Sequence, residues 1–348
     1  MTALDLAARA LAAVPGEEAE AVVHSELSGF ARYAASEVHQ PTLVENHVVQ
    51  LRVARDGRVA GASTNRTDDD ALRDLARRTL DAVATAPADD EFPGFAPPAE
   101  TAAVDGYDEA TAELPPAEQA QIAAQAIAAA RPLQLYGYVT SGVVELAVAT
   151  SGGLAAEDRM TDANVLALVA GEGVSGYAER QAVAIGAIDA AGTAEEALRK
   201  AEATRGGHEV EPGAYRAVLE PYAFAELLEY FALDSFNGLG LLEQSSYFAG
   251  RIGDSVFARN ISIAEDPLDA AGLPKSLDFE GTPRRRVPLV EAGVARGVVW
   301  DRGTAARAGE ESTGNAIPVQ NRRYGPAPVA LSVAAGEAGS VEDLDEAV

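Results

Sequence analysis

Residues 19–28 alternate between apolar and polar, the period of a strand with one buried face, and 30–40 and 47–55 continue the pattern. Asp56-Gly57 stands between LRVAR and RVAGAST, a pair that readily adopts the left-handed conformations of a tight hairpin turn. On either side the period becomes that of a helix. Leu4, Leu11 and Val14 give one face to the opening stretch. Leu72, Leu75, Thr79, Leu80 and Val83 line a second helix, expected to start at Thr67 with acidic residues in its first turn. Residues 1–86 therefore predict an N-terminal α+β domain: helix, β-meander, helix.

Pro87, Pro93, Pro97 and Pro98 then punctuate residues 87–106, which read as a Pro-rich linker or a long ordered loop. A helix from about Pro116 to Ala130 follows. Short β-rich runs come next: LQLYGYVTSG, VVELAVATSGG, NVLALVAGEG and QAVAIGAID. The helical stretch AEEALRKAEAT, capped by Thr193 and stopped by Gly206-Gly207, completes a middle α+β domain over 107–207. No long-period sequence repeat is visible.

Residues 208–348 predict a β-rich C-terminal domain built around a helix over Tyr222–Phe236. Phe224, Leu227, Leu228 and Phe231 form one apolar stripe of that helix, and Glu226 and Glu229 lie on another face. An extended run, YRAVLEP, precedes it and a glycine-punctuated segment comes after it. Asp266, Asp269, Asp278 and Glu280 then make an acidic, turn-rich run. Arg284-Arg285-Arg286 leads into a hairpin with Gly293 at its turn, and 304–326 reads as a polar loop. The expected class is α+β.

The chain has 348 residues, of which 47% are hydrophobic, ample for a packed core. It has no cysteine, which removes disulfides, thiolate metal sites and cysteine nucleophiles and suits a reducing cytoplasm. No apolar run is long enough to cross a bilayer, and the N-terminus lacks a signal-peptide pattern. The net charge of −27 argues against nucleic-acid or anionic-membrane partners.

Candidate chemistry is sparse. The histidines are His24, His39, His47 and His208, none spaced from another as helical metal pairs are. Glu226 and Glu229 read either as an acid–base pair or as ordinary surface charges. The acidic run reads as an oxygen-ligand cation site or as turn-forming aspartates; the EF-hand spacing is absent. Gly171, Gly173 and Gly176 match GxGxxG, but the residues after them have the period of a strand and Asp189 lies too near, so a β-turn is expected. Ser175 in GVSGY is not a nucleophile elbow. The arginine triplet could pair with the acidic run or hold a peptide carboxylate.

Several segments in one order, above all SLDFEG, VEAGV and STGNA, together with YRAVLEPYAFAELLEYF and the N-terminal meander, resemble the TldD/PmbA family of peptidase-related proteins. The resemblance implies one of two branches. TldD-like members carry a helical HExxxH motif that binds a metal, with the glutamate as base and a cysteine near the C-terminus as a further ligand. PmbA-like members, also called TldE, keep the fold without those ligands. They are thought to pair with TldD as a heterodimer that digests unfolded peptides and processes small peptide precursors. This chain reads AELLEY: Ala225 and Tyr230 replace the histidines and Glu226 matches the glutamate. It is thus similar to the PmbA/TldE-like branch, with no metal of its own and zinc expected in a TldD-like partner. A stand-alone peptide-binding scaffold is the alternative. The resemblance also implies further β-structure beyond SVEDLDEAV, so the last domain is expected to be cut short.

Overall fold

The computed structural model describes residues 2–207, 209–339 and 343–344. The first half of the chain builds one six-stranded antiparallel sheet. Helix α1 (Ala3–Ala12) begins with a capping box between Thr2 and Asp5. Strands β1 (Glu18–Ala34), β2 (Glu37–Arg55) and β3 (Arg58–Thr64) continue as a meander, and α2 (Asp69–Thr85) closes the unit. After α3 (Glu109–Ala112), the same order returns: α4 (Pro116–Ala129), β4 (Gln134–Thr150), β5 (Ala155–Gly171), β6 (Val174–Ala182) and α5 (Ala190–Ala203). The sheet order is β3-β2-β1-β4-β5-β6, so the two αβββα units join through their first strands. A topological duplication is therefore present where the sequence shows no repeat. The N-terminal and middle units are two halves of one sheet.

Alternation decides what each face carries. Ala19, Ala21 and Val23 of β1 point to the helices, where they pack with Leu51 and Val53 of β2, Leu6 and Ala10 of α1, and Leu72 and Leu75 of α2. Ala31 and Tyr33 further along β1 join a second core with Val165 and Val169 of β5 and the alanine-rich faces of α4 and α5. Each fully buried valine or leucine side chain contributes about 1.5–3 kcal/mol, and each alanine less. The α1 face is Ala3, Leu6, Ala7 and Ala10; the expected Leu4 and Leu11 lie at its margin.

Local signals place several boundaries differently from the sequence expectation. The N-cap of α2 is Asp68, not Thr67, because the Asp68 carboxylate accepts the Ala71 N–H at 2.9 Å. The N-cap of α5 is Asp189; Thr193 lies one turn inside, donating its hydroxyl back to the Asp189 carbonyl. Gly29 does not end β1. It makes room for Gln119, whose Nε2 donates to the Gly29 carbonyl at 2.8 Å. The hairpin turns at Asp56-Gly57 and Glu172-Gly173 both have two positive φ values, as Asp-Gly implies for the first.

The opposite face of the sheet carries Val22, Leu146 and Val148, packed with Ala96, Leu154 and Leu277. The 87–106 segment is therefore laid against the sheet: Thr150 Oγ1 donates to the Ala96 carbonyl and Thr161 N–H to the Gly106 carbonyl. The C-terminal region begins with irregular chain, including the expected extended run at 215–220, and then α6 (Pro221–Ser235) and α7 (Gly238–Leu242). Strands β7 (Ile263–Glu265), β8 (Val287–Glu291), β9 (Val294–Ala295) and β10 (Leu331–Val333) form a sheet of order β10-β7-β8-β9. Between β9 and β10 the expected polar loop contains a helix, α8 (Arg302–Ala308), capped by Asp301. Phe236, Phe248, Leu289 and Trp300 centre this second core.

Candidate functional site

Helix α6 is held at both ends. At its start, Tyr222 packs edge-on against Tyr177, with ring centroids 5.3 Å apart, and its hydroxyl donates to the Glu179 carbonyl at 2.9 Å. At its end, Phe231 meets Phe236, Tyr247 and Phe257 at 5.5–5.7 Å, and Ala232 and Ser235 are buried. The buried face is therefore Leu228, Phe231, Ala232 and Ser235. The predicted stripe holds at Leu228 and Phe231 but not at Leu227, which is 60% exposed. The proline at the first helical position and the run of good helix formers after it explain why this stretch is helical without full burial.

Ala225, Glu226, Glu229 and Tyr230 all lie on the exposed side, Tyr230 at 69%. Neither Glu226 nor Glu229 makes an ion pair or side-chain hydrogen bond among the described residues. These side chains do not fit zinc. A methyl group has no donor, a phenol is a poor substitute for imidazole, and no group of three His, Cys, Asp or Glu among the described residues is arranged to hold a cation.

The histidines are dispersed. Ser25 pairs with His47 across β1 and β2, and His47 Nδ1 lies 2.8 Å from Ser25 Oγ. Because neighbours alternate along a strand, His24 points to the other face, where its ring lies 5.9 Å from Phe279. His39 is exposed, and His208 lies outside the described residues. Ser175 is exposed on β6. Gly176 serves packing: a Cβ there would stand 2.1 Å from the Ala197 carbonyl of α5.

The acidic run divides. Asp269 caps a local turn by accepting the Ala271 N–H, and Asp266 pairs with Arg286 at 2.8 Å. Asp278 is fully buried and accepts three backbone N–H groups, from Glu280, Thr282 and Ala316, at 2.8–2.9 Å. Burial first, then the Glu280 carboxylate, push the Asp278 carboxyl up to about 7, against Arg284 and those N–H groups, which favour its ionised form. Turn chemistry is thus the role of Asp269 and Asp278.

The network around Asp278 was not legible as a site. Glu265, fully buried, accepts from Asn315 Nδ2 at 3.0 Å and from the Val329 and Ala330 N–H groups. Thr313 Oγ1 donates to Asn315 Oδ1, and the Trp300 N–H donates to Thr313 Oγ1. Glu280 receives Arg322 at 3.1 Å and the Arg302 N–H at 3.0 Å. Glu20 on β1 pairs with Arg52 on β2 at 2.7 Å, both buried under this region. The acidic and STGNA motifs therefore lock the C-terminal loops to one another. Arg284 is buried, donating Nε to the Leu277 carbonyl, while Arg286 takes the expected acidic partner.

A six-stranded sheet with its helices and a smaller four-stranded sheet make this an α+β fold. Residues 19–86 match the model of PmbA/TldA metallopeptidase domain 1, and 212–348 that of the PmbA/TldA metallopeptidase C-terminal domain. The chain belongs to the PmbA/TldD family. TldE from Thermococcus kodakarensis superposes with a TM-score of 0.81 at 20% identity, over 98% of this chain and 79% of that one. A Thermotoga maritima protein described as a candidate modulator of DNA gyrase superposes at 0.84 and 21% identity, over 96% and 77%. At these identities the likeness shows the fold. An uncharacterized protein of Methanocaldococcus jannaschii is 38% identical over 100 residues, about a quarter of its own length (24%). In the described residues no helix is long and apolar enough to cross a membrane.

Proposed function

We propose that this chain is the PmbA/TldE-like, non-metallated subunit of a cytoplasmic heterodimer, paired with a TldD-like metallopeptidase subunit that carries zinc. The pair acts on unfolded peptides or small peptide precursors. The observation that carries the reading is the exposed face of α6. It retains Glu226 at the family's base position but has Ala225 and Tyr230 at the ligand positions. Beside them Leu227, Tyr230 and Leu233 are 60%, 69% and 46% exposed, an apolar face that a partner would cover. Its role is then to complete the peptide chamber and hold the catalytic subunit in its active arrangement.

Co-expression with an HExxxH-bearing relative tests this. The two chains are expected to co-purify, with zinc held by the relative and peptidase activity seen only with both. Stoichiometric zinc in this chain purified alone, with its own peptidase activity lost on chelation, would refute the proposal. Failure to associate, with peptide binding retained by this chain, would favour a stand-alone scaffold.

A further inference from the structure

We propose that the cavity between the large sheet and the 275–284 loop binds a small carboxylate with an apolar body. The cavity has a volume of about 240 Å³, below the roughly 300 Å³ at which pockets for drug-sized ligands begin. Lys275 and Arg284 enter it from the loop, and His24 and Asp158 from the sheet. Leu146 and Phe279 give it an apolar wall.

Its hydrogen-bonding groups are unbalanced toward donors. Arg284 is 5% exposed; Nε is spent on the Leu277 carbonyl, and buried Nη1 has no acceptor among the described residues. The Lys275 ammonium makes no ion pair or hydrogen bond among the described residues, whereas the chain's other lysine, Lys200, pairs with Glu196 and Glu220. The carboxylates that face the two cations are Asp158, Asp162, Glu265 and Asp278; each accepts amide donors, Asp162 from Gln181 Nε2, and none pairs with Lys275 or Arg284 among the described residues. Asp158 Oδ2 takes the Ser276 N–H at 2.6 Å, and Asp278 and Glu265 accept backbone N–H groups of their own loops. A buried guanidinium and an ammonium lining one small space call for an acceptor bearing charge, and a carboxylate meets both with charge-assisted bonds. Burial, then the Arg284 charge, hold the Lys275 ammonium below its usual range, so both cations act in a medium where such bonds are strengthened. His24 is likewise depressed by burial and stays neutral, so it adds a ring face and one N–H rather than a charge.

Two sources share this chemistry: the C-terminal residue of a peptide and a free short-chain acid. The test uses the full chain alone and does not depend on the proposed subunit role. Calorimetric titration with N-acetyl-leucine, hexanoate and N-acetyl-leucinamide is expected to show saturable binding of a carboxylate and binding of the amide weaker by tenfold or more. Tighter binding of N-acetyl-leucine identifies a peptide end, and tighter binding of hexanoate a free acid; either result upholds the site. Arg284→Met is expected to abolish binding but also disturbs the loop it braces. Lys275→Met removes an ammonium that braces nothing in the loop and is expected to weaken carboxylate binding about tenfold, with an unchanged thermal melt. Equal affinity for acid and amide, no saturable binding of either acid, or unchanged affinity in Lys275→Met would overturn the proposal.

Discussion

Asp278 and Ala316, 38 residues apart, are joined by a hydrogen bond of 2.8 Å from the Ala316 N–H to Asp278 Oδ2. That bond fastens the acidic loop to the STGNA loop. Its acceptor is a carboxyl whose proton affinity burial has raised.

The first prediction concerns pH. The Asp278 carboxyl is pushed up to about 7 in the folded protein, against an ordinary value of 3.8 for the unfolded chain. Between these values the folded state holds the extra proton, so this group's contribution to stability falls as pH rises from about 4 to 7. Asp278→Asn places an amide N–H against one of the backbone donors and is expected to cost about 1–3 kcal/mol. It should also flatten this part of the pH profile. Urea unfolding at pH 5 and pH 7 measures both effects.

A second prediction concerns the Glu20–Arg52 pair, where the Arg52 side chain is 11% and Glu20 1% exposed. Arg52→Met alone strands a buried carboxylate and is expected to cost roughly 3–5 kcal/mol. Replacing both residues with methionine is expected to cost far less, because no unpaired charge remains. A double-mutant cycle by chemical denaturation reads the difference.

Glycines that look alike in sequence should behave differently. Gly173→Ala adds a methyl into open space at a φ of +81° and should cost about 1–2 kcal/mol through the backbone alone. Gly176→Ala drives a methyl into the α5 backbone, at 2.1 Å from the Ala197 carbonyl and 2.3 Å from the Ala201 nitrogen. It should cost at least about 3 kcal/mol and loosen α5. Thermal melts and amide exchange over α5 distinguish the two.

The exposed face of α6 gives a fourth prediction. Leu227→Asp and Tyr230→Asp are expected to leave the melting temperature of this chain nearly unchanged while weakening its co-purification with an HExxxH-bearing relative. Glu226→Gln is expected to leave the peptidase activity of the pair within about twofold, since one exposed charge is exchanged for a neutral isostere. A large loss of activity in Glu226→Gln would assign that carboxylate a chemical role.

Much of the sheet was legible because alternation is a local property. The strands of both meanders, the Asp56-Gly57 turn and the turn after Gly171 arise from period and turn chemistry. The Ala35-Ser36 turn did not, because two non-glycine residues are held at φ of 50° and 63°. Strand β4 holds them: Ser36 N–H donates to the Leu135 carbonyl, and Ser36 Oγ accepts the Leu135 N–H. Residues 30–40 therefore read as one run, whereas that turn divides them between β1 and β2. In the C-terminal region polarity misled: 304–326 reads as loop, yet Thr313 and Asn315 are buried, their polar atoms bonded to partners far along the chain.

The sequence alone determined that the chain is α+β, that it has no thiolate chemistry, and that a helix near 222–236 carries the stretch AELLEY. Those are properties of residue identity and short-range spacing. Only the tertiary structure decided that two meanders share one sheet, that Asp278 serves an internal lock, and that Lys275 and Arg284 line one cavity with His24. Each of these depends on which strand pairs with which and on which side chains lose water together. Long-range pairing and burial fix both, and neither is written in any local window of the chain.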